Sequence, residues 1–397
     1  MGVVVIGGGL DMVCGMWRKW IAGGWLAVVV AMVGWVDGWG GRECAGAGRE
    51  VVVRNPGELR AALGELREGT VLRIGPGEYP GGNWVQGVKG LTVEALEARN
   101  PPRFVGGSVG WHFSRCEGLT VRRLRLSGQR GNGINLDDGG ERERPVAGIL
   151  LEGLEISEVG PRGNHDGIKG SGLRGVTIRD CVITGWGREG IDLVGCHQVL
   201  IAGCRLVGKA GFGAATGVQV KGGSSEVTVE RCRFTNAGQR PVNVGGSTGL
   251  AYFRPAGAKQ EASRVVVRNN VIEGGLCAVA FVGAAGVECA GNTILFPEKW
   301  VFRMLQETQL EGFTPCRDVR VRDNRIVFRR AQVQVEVNVG PGTEPGTMRF
   351  EGNQWFAEDR PGASRPRLPV TETGGVYGVD PRRGGAGDAA PKGEPQR

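Results

Sequence analysis

The chain has 397 residues, 73 of them glycine, and a formal charge of +8 spread along its length. Glycine without a Gly-X-Y period excludes a collagen helix and suits a chain that turns every few residues. The dispersed charge makes nucleic acid a weak inference, so no nucleic-acid partner is expected, and it allows an anionic glycan.

Arg18 and Lys19 precede an apolar run from Trp20 to Val36, and Ala45-Gly46-Ala47 offers a small-residue cleavage site. Residues 1–47 therefore read as a signal segment, which implies a secreted, periplasmic or cell-surface protein; an uncleaved anchor is the alternative, since the run approaches the roughly 20 residues of a membrane span. Gly7-Gly8-Gly9 after Val3–Ile6 has the look of a dinucleotide loop, but no helix or acidic partner follows, and Met12 or Met16 is the expected start. Ten cysteines in an exported chain would suggest disulfides. Cys181, Cys204 and Cys232, however, share one register of a repeat, and stacked buried thiols are expected instead.

Residues 48–90 read as an amino-terminal cap. Glu50 to Arg54 is strand-like, and Asn55-Pro56-Gly57-Glu58 opens a helix with an N-cap, a proline at the first helical position and a glutamate three after the cap. Leu59, Ala62, Leu63 and Leu66 give that short helix one apolar face, as needed to cover the open end of a solenoid.

From Leu91 a template recurs: two apolar residues one position apart, an anchor three further on, then another apolar residue. It fits ten times between Leu91 and Trp355, with anchors 22 to 38 residues apart. The anchor column changes from leucine to Cys181, Cys204 and Cys232, then to Asn270, Asn292, Asn324 and Asn353, which read as an internal amide ladder. Units this short have no room for a helix, so each is a coil of short strands, stacked about 4.8 Å apart. The chain is similar to the right-handed parallel β-helix repeat proteins over roughly residues 50 to 360. The expectation is an all-β, single-stranded right-handed parallel β-helix over residues 91–359, of about ten coils, with a short amino-terminal capping helix.

A second set of strands aligns from Gly133-Ile134-Asn135-Leu136 to Ala278-Val279-Ala280-Phe281. Alternation turns Asn135, Lys169, Asp192, Gln219 and Asn243 outward as one polar row, with Asn132, Asp166, Glu189, Thr216 and Arg240 as a second. Lys221 closes its own strand and is read as occupying an end equivalent to that of Arg240. A long excursion from Gly245 to Pro255 rises beside these coils as the wall of a binding face. Glu298 to Thr308 places Trp300, Val301, Met304 and Leu305 at helical spacing and reads as a short helix. Residues 360–397 are rich in proline, glycine and arginine and read as an irregular last layer and tail.

Asp166, Lys169, Glu189, Asp192, Lys221 and Arg240 fall within four adjacent coils. One reading is a solvated face with ion pairs worth little each. The other is a cleft for a uronate-containing polysaccharide, in which cations hold the sugar carboxylates while a base takes the neighbouring C5 proton. A lysine can be that base if nearby cations and burial favour its neutral form. Asp166, Glu189 and Asp192 are an oxygen-donor set of the kind Ca2+ takes, and Ca2+ is the cofactor this reading admits. The arrangement resembles polysaccharide lyase family 6, the alginate lyase and chondroitinase B group, in which a lysine after a strand is followed about one coil later by an arginine. The resemblance implies β-elimination with Lys221 and Arg240 as catalytic residues, Tyr252 or His165 being the other proton-donor candidates. Lys169, Gln219, Asn243, Tyr252, Arg254 and His165 are the expected substrate-binding residues, in a monomer. Hydrolysis stays open, since Asn164-His165-Asp166-Gly167 resembles the NTDG of polygalacturonase-type hydrolases on the same fold. So do uronan epimerisation and a non-catalytic glycan-binding role.

Overall fold

The computed structural model describes residues 49–383. The signal segment expected over residues 1–47 and the tail beyond residue 383 lie outside them. Three parallel sheets run side by side, and each coil visits them in turn. The first has 12 strands, from Glu50–Val53 to Arg349–Glu351; the second has 12, from Glu78–Pro80 to Val376–Tyr377; the third has 10, from Asn83–Gln86 to Val337–Val339. This is the parallel β-helix that the repeat implies. Among the described residues no helix is long and apolar enough to cross a membrane.

The inner apolar position of the template stacks in register from Val93 through Leu151 and Ile201 to Phe350, each fully or almost fully buried. One residue before the anchor, Arg123, Gly153, Asp180, Gly203, Arg231, Asn269, Gly291, Asp323 and Gly352 all have φ between 51° and 64°. A single left-handed residue bends the backbone so that the anchor points inward and the next strand starts at once. Five of these nine are not glycine, each accepting a strain of about 1 kcal/mol that the flanking ladders hold in place.

The anchors close the turns in two ways. Cys181, Cys204 and Cys232 donate their thiols to the carbonyls of Arg179, Ala202 and Glu230 two residues back, at 3.3, 3.5 and 3.3 Å. All eight described cysteines are free and buried. In the asparagine half, the Nδ2 groups of Asn270, Asn292 and Asn324 each donate to the Oδ1 of the next coil's asparagine at 2.9 to 3.0 Å. Glu372 accepts from Asn353 Nδ2 at 2.8 Å and ends the column.

The helix Pro56–Leu63 begins with a reciprocal box: Asn55 Oδ1 accepts from Glu58 N at 2.9 Å, and Glu58 Oε2 accepts from Arg54 N at 2.7 Å. Leu59 is buried against the end of the barrel-like core.

Three expectations differ from the structure. The β-helix does not wait for residue 91, because Glu50–Val53 and Val71–Ile74 already pair as the first rungs of the first sheet. Beyond residue 360 the layer is not wholly irregular, because Val376–Tyr377 adds a rung to Gln354–Ala357. Glu298–Thr308 holds no helix: Trp300–Leu305 is a strand paired with Cys277–Val282. Phe302 and Met304 alternate into the core, and an open row of backbone groups on the neighbouring strand decides the conformation over local spacing.

Candidate active site

The third sheet carries the chemistry. Trp84, His112, Asn135, Lys169, Asp192, Gln219 and Asn243 are partners on successive strands, so the polar row is one column. Glu189, Thr216 and Arg240 form the parallel column at the start of the strands.

At the centre, Lys169 Nζ lies 2.9 Å from Asp166 Oδ2 and 2.8 Å from Asp192 Oδ2. Lys221 Nζ approaches the other oxygen of Asp192 at 3.1 Å. Asp166, Glu189 and Asp192 are buried, and Arg188 Nε contacts Glu189 Oε1 at 3.0 Å. Burial works against the Lys169 charge, but Asp192 and Asp166 outweigh it and hold the ammonium above the usual lysine range. Burial, with Asp166 and Asp192 alongside, pushes the Glu189 carboxyl up to about 8, so it carries a proton at neutral pH.

This cluster floors an open cleft of about 580 Å³, lined also by Asn135, Asp137, Ser171 and Arg188 and walled by Gly139, Gly140 and the Ser247–Gly249 stretch with Tyr252. The excursion is fixed from both ends. Arg254 pairs with Asp138, its Nη2 2.9 Å from Oδ1, across 116 positions of sequence. Glu261, fully buried, accepts from Gly222 N, Thr248 N, Thr248 Oγ1 and Thr308 Oγ1 at 2.6 to 3.1 Å. Four donors without a cation satisfy that carboxylate and pin the base of the wall.

Of the residues expected to bind substrate, Lys169 and Tyr252 line the cleft, and Tyr252 is 64% exposed. Arg254 also borders it, but its guanidinium is engaged by Asp138 and the Tyr252 carbonyl, so it shapes the wall. Gln219 and Asn243 are buried beneath the excursion, each donating to the Gly245 carbonyl at 3.3 Å. His165 packs against Gly160 and Gly163, outside the cleft. Lys221 lines the cleft, whereas Arg240 does not. The expectation that these two occupy equivalent strand ends is corrected by the register: Arg240 opposes Thr216, the first residue of the strand that Lys221 ends. Five residues of strand put them roughly 16 Å apart, and Arg240 faces Glu307 at 3.5 Å.

Oxygens of Asp166, Glu189 and Asp192 do converge within 4.8 Å, as the calcium reading requires. The Lys169 ammonium, however, already lies between Asp166 and Asp192. Ca2+ takes six to eight oxygens at about 2.3–2.6 Å and would have to expel that ammonium. The residues present do not fit the ion.

Sequence reasoning missed His112, Asp137 and Arg188. His112 and Asp137 sit on strands Trp111–Ser114 and Ile134–Asp137, whose alternation carries the row back toward the amino terminus. The first of these lacks the Gly-Ile opening by which the strands were aligned, although W-H-F-S shows the same alternation. Burial works against the Asp137 charge, but hydrogen bonds from His112, Ser114 and Gly139 N outweigh it and hold its carboxyl below the usual range.

A family model described as "Right handed beta helix region" matches residues 109–294. That stretch and the three continuous sheets agree on the fold, a right-handed parallel β-helix. No curated protein matches the sequence. Among solved structures, the chain is similar to the A-module of a mannuronan C-5 epimerase from Azotobacter vinelandii, at 16% identity and a TM-score of 0.51, over 84% of this chain and 91% of that one. The tailspike protein of Escherichia coli bacteriophage HK620, in complex with a pentasaccharide, matches at 11% identity and a TM-score of 0.50, over 74% of this chain and 54% of its own. An alginate lyase from Paenibacillus sp. matches at 19% identity and a TM-score of 0.48, over 73% and 97%. At these identities the likeness to the epimerase module and the tailspike speaks to the fold alone.

Proposed function

We propose that the protein acts on an anionic, uronate-containing polysaccharide by β-elimination. The observation that carries this reading is the pair of ammonium groups, Lys169 and Lys221, on opposite oxygens of Asp192 at the floor of an open cleft under an exposed tyrosine. Lys169 and Arg188 would face the sugar carboxylate and stabilise the charge that develops on it as the C5 proton leaves. Lys221 would take that proton as the free amine, after giving up the ammonium proton with which it meets Asp192, and Lys169 is the neighbouring cation that favours the neutral form. The electron pair forms the C4–C5 double bond, the C4–O bond breaks, and the leaving oxygen collects a proton from Tyr252. That a mannuronan C-5 epimerase shares the fold is consistent with a uronate substrate.

One observation favours a second reading. The raised Glu189 carboxyl beside Asp166 sets an acid next to a carboxylate, as hydrolysis needs, but their oxygens lie within 4.8 Å, closer than the roughly 5–9.5 Å of a glycoside hydrolase, and both groups lie beneath Lys169 with almost no exposure. Incubation with alginate, pectate and chondroitin sulfate separates the two. Elimination gives products that absorb in the ultraviolet, and that signal should vanish in Lys221→Ala. Reducing ends without absorbance, surviving in Lys221→Ala and lost in Asp166→Asn, would replace elimination with hydrolysis.

A further inference from the structure

We infer that Trp84, mounted on His112, is a remote sugar-stacking subsite that extends the cleft to the amino-terminal edge of the third sheet. This rests on the glycan reading above and adds to it a binding residue and a length requirement. Trp84 projects from Asn83–Gln86, the outermost strand of that sheet, and is 56% exposed. Among the described residues the other large exposed apolar side chains lie in loops or in the carboxy-terminal layer, whereas this one stands in the same column as Asn135, Lys169 and Asp192.

Its support is built. The indole rests against the His112 imidazole, with ring centroids 3.9 Å apart and the ring planes tilted by 51°. His112 Nε2 is held by Asp137 Oδ2 and lies 2.9 Å from Asn135 Nδ2, while Ser114 Oγ and Gly139 N donate to Asp137 Oδ1 at 2.7 and 2.9 Å. The indole is therefore braced by a hydrogen-bonded polar network while more than half of it stays exposed, so less side-chain freedom remains to be lost on binding. The occupant that suits it is a pyranose ring, whose C–H face lies on the indole while its rim hydroxyls reach His112 and Asn135. A protein partner would meet one aromatic ring among polar groups, without an apolar surface to extend the contact. Three strand spacings separate Trp84 from Lys169, about 14 Å, which is more than one sugar ring can bridge. A chain held at both places must span several units.

The test is a size series of oligosaccharides prepared from alginate, pectate and chondroitin sulfate, measured on wild type, Trp84→Ala and Trp84→Phe. On the glycan that wild type accepts, Trp84→Ala should weaken binding of the longer oligosaccharides about tenfold. It should leave binding of the shortest ones unchanged, and Trp84→Phe should restore most of the loss. If Trp84→Ala binds every length as wild type does, or loses all lengths equally, the subsite is overturned and the glycan reading stands. Should Trp84→Ala fail to fold, Trp84→Phe carries the same comparison through a smaller length-dependent loss, and its absence overturns the subsite. If wild type binds none of the three series, the glycan reading falls and the subsite with it.

Discussion

Two stacks of buried polar side chains run along this solenoid, and they are satisfied to different degrees. In the asparagine ladder every polar atom is used: Asn292 donates to Val267 O and Asn324 Oδ1, and its own Oδ1 accepts from the backbone and side chain of Asn270. On the third sheet, Glu189 Oε2, Thr216 Oγ1 and Asn243 Oδ1 are buried without a hydrogen-bond partner, and three carboxyls crowd around two ammonium groups. A ladder whose bonds close on themselves specifies a turn and nothing else. A cluster left short of partners holds charge where a ligand can use it.

Substitutions should separate the two stacks. The largest effect is expected from Lys221→Ala, with elimination falling about 10³-fold; Lys169 still pairs with Asp192 in that variant, so the urea midpoint should fall less than in Lys169→Met. Lys169→Met should do both kinds of damage: it leaves Asp166 and Asp192 facing each other in a buried site, for a stability loss of about 3 kcal/mol together with loss of activity. Asn292→Ala should cost about 2 kcal/mol in the same denaturation experiment by orphaning donors on Asn270, with kcat unchanged. Activity lost in Asn292→Ala at a temperature where it remains folded would break the division.

The protonated Glu189 gives the comparison a pH axis. Its folded pKa of about 8 lies above the ordinary 4.5, so the folded state binds the extra proton throughout that window. The stability tied to that proton is complete below about pH 4.5 and is lost as pH rises through about 8. The slope should approach about 1.4 kcal/mol for each pH unit. Glu189→Gln, which cannot ionise, should flatten the dependence of the urea midpoint between those limits. The asparagine ladder carries no titrating side chain among its four asparagines, and Asn324→Ala should lower stability without changing that slope.

How much of this was legible in the sequence follows from the same contrast. The ladder was readable because inward residues obey a strict period, and an anchor such as Asn324 must repeat wherever the turn repeats. The polar row was readable as well, since alternation alone assigns Lys169 and Asp192 to one face. The partners were not. Which end of a strand Arg240 occupies depends on where pairing begins, and a proline opening offers no apolar marker for it. Arg254 was visible as a loop cation, but its engagement by Asp138 joins positions 116 residues apart, which no local pattern reports. Gln219 and Asn243 point outward as expected and are buried all the same, because the excursion folds down over them. Strand Trp300–Leu305 was misread because its apolar spacing satisfies a helix as well as a strand, and only the neighbouring sheet edge decides.

The smallest expected effect concerns calcium. Three carboxyls in one place resemble a divalent site, and sequence alone has no way to show that Lys169 points its ammonium between two of them. With that built-in cation, added chelator should leave both the melting temperature and the rate on a uronate polymer unchanged. Lys169→Ala should behave differently, because its freed carboxylates form a cage that added Ca2+ can enter, raising its melting temperature in proportion to the logarithm of ion concentration. Chelator-sensitive wild type would mean that the ion displaces Lys169 in solution, and the lysine would then belong to the substrate side of the cleft, free to meet the sugar carboxylate directly.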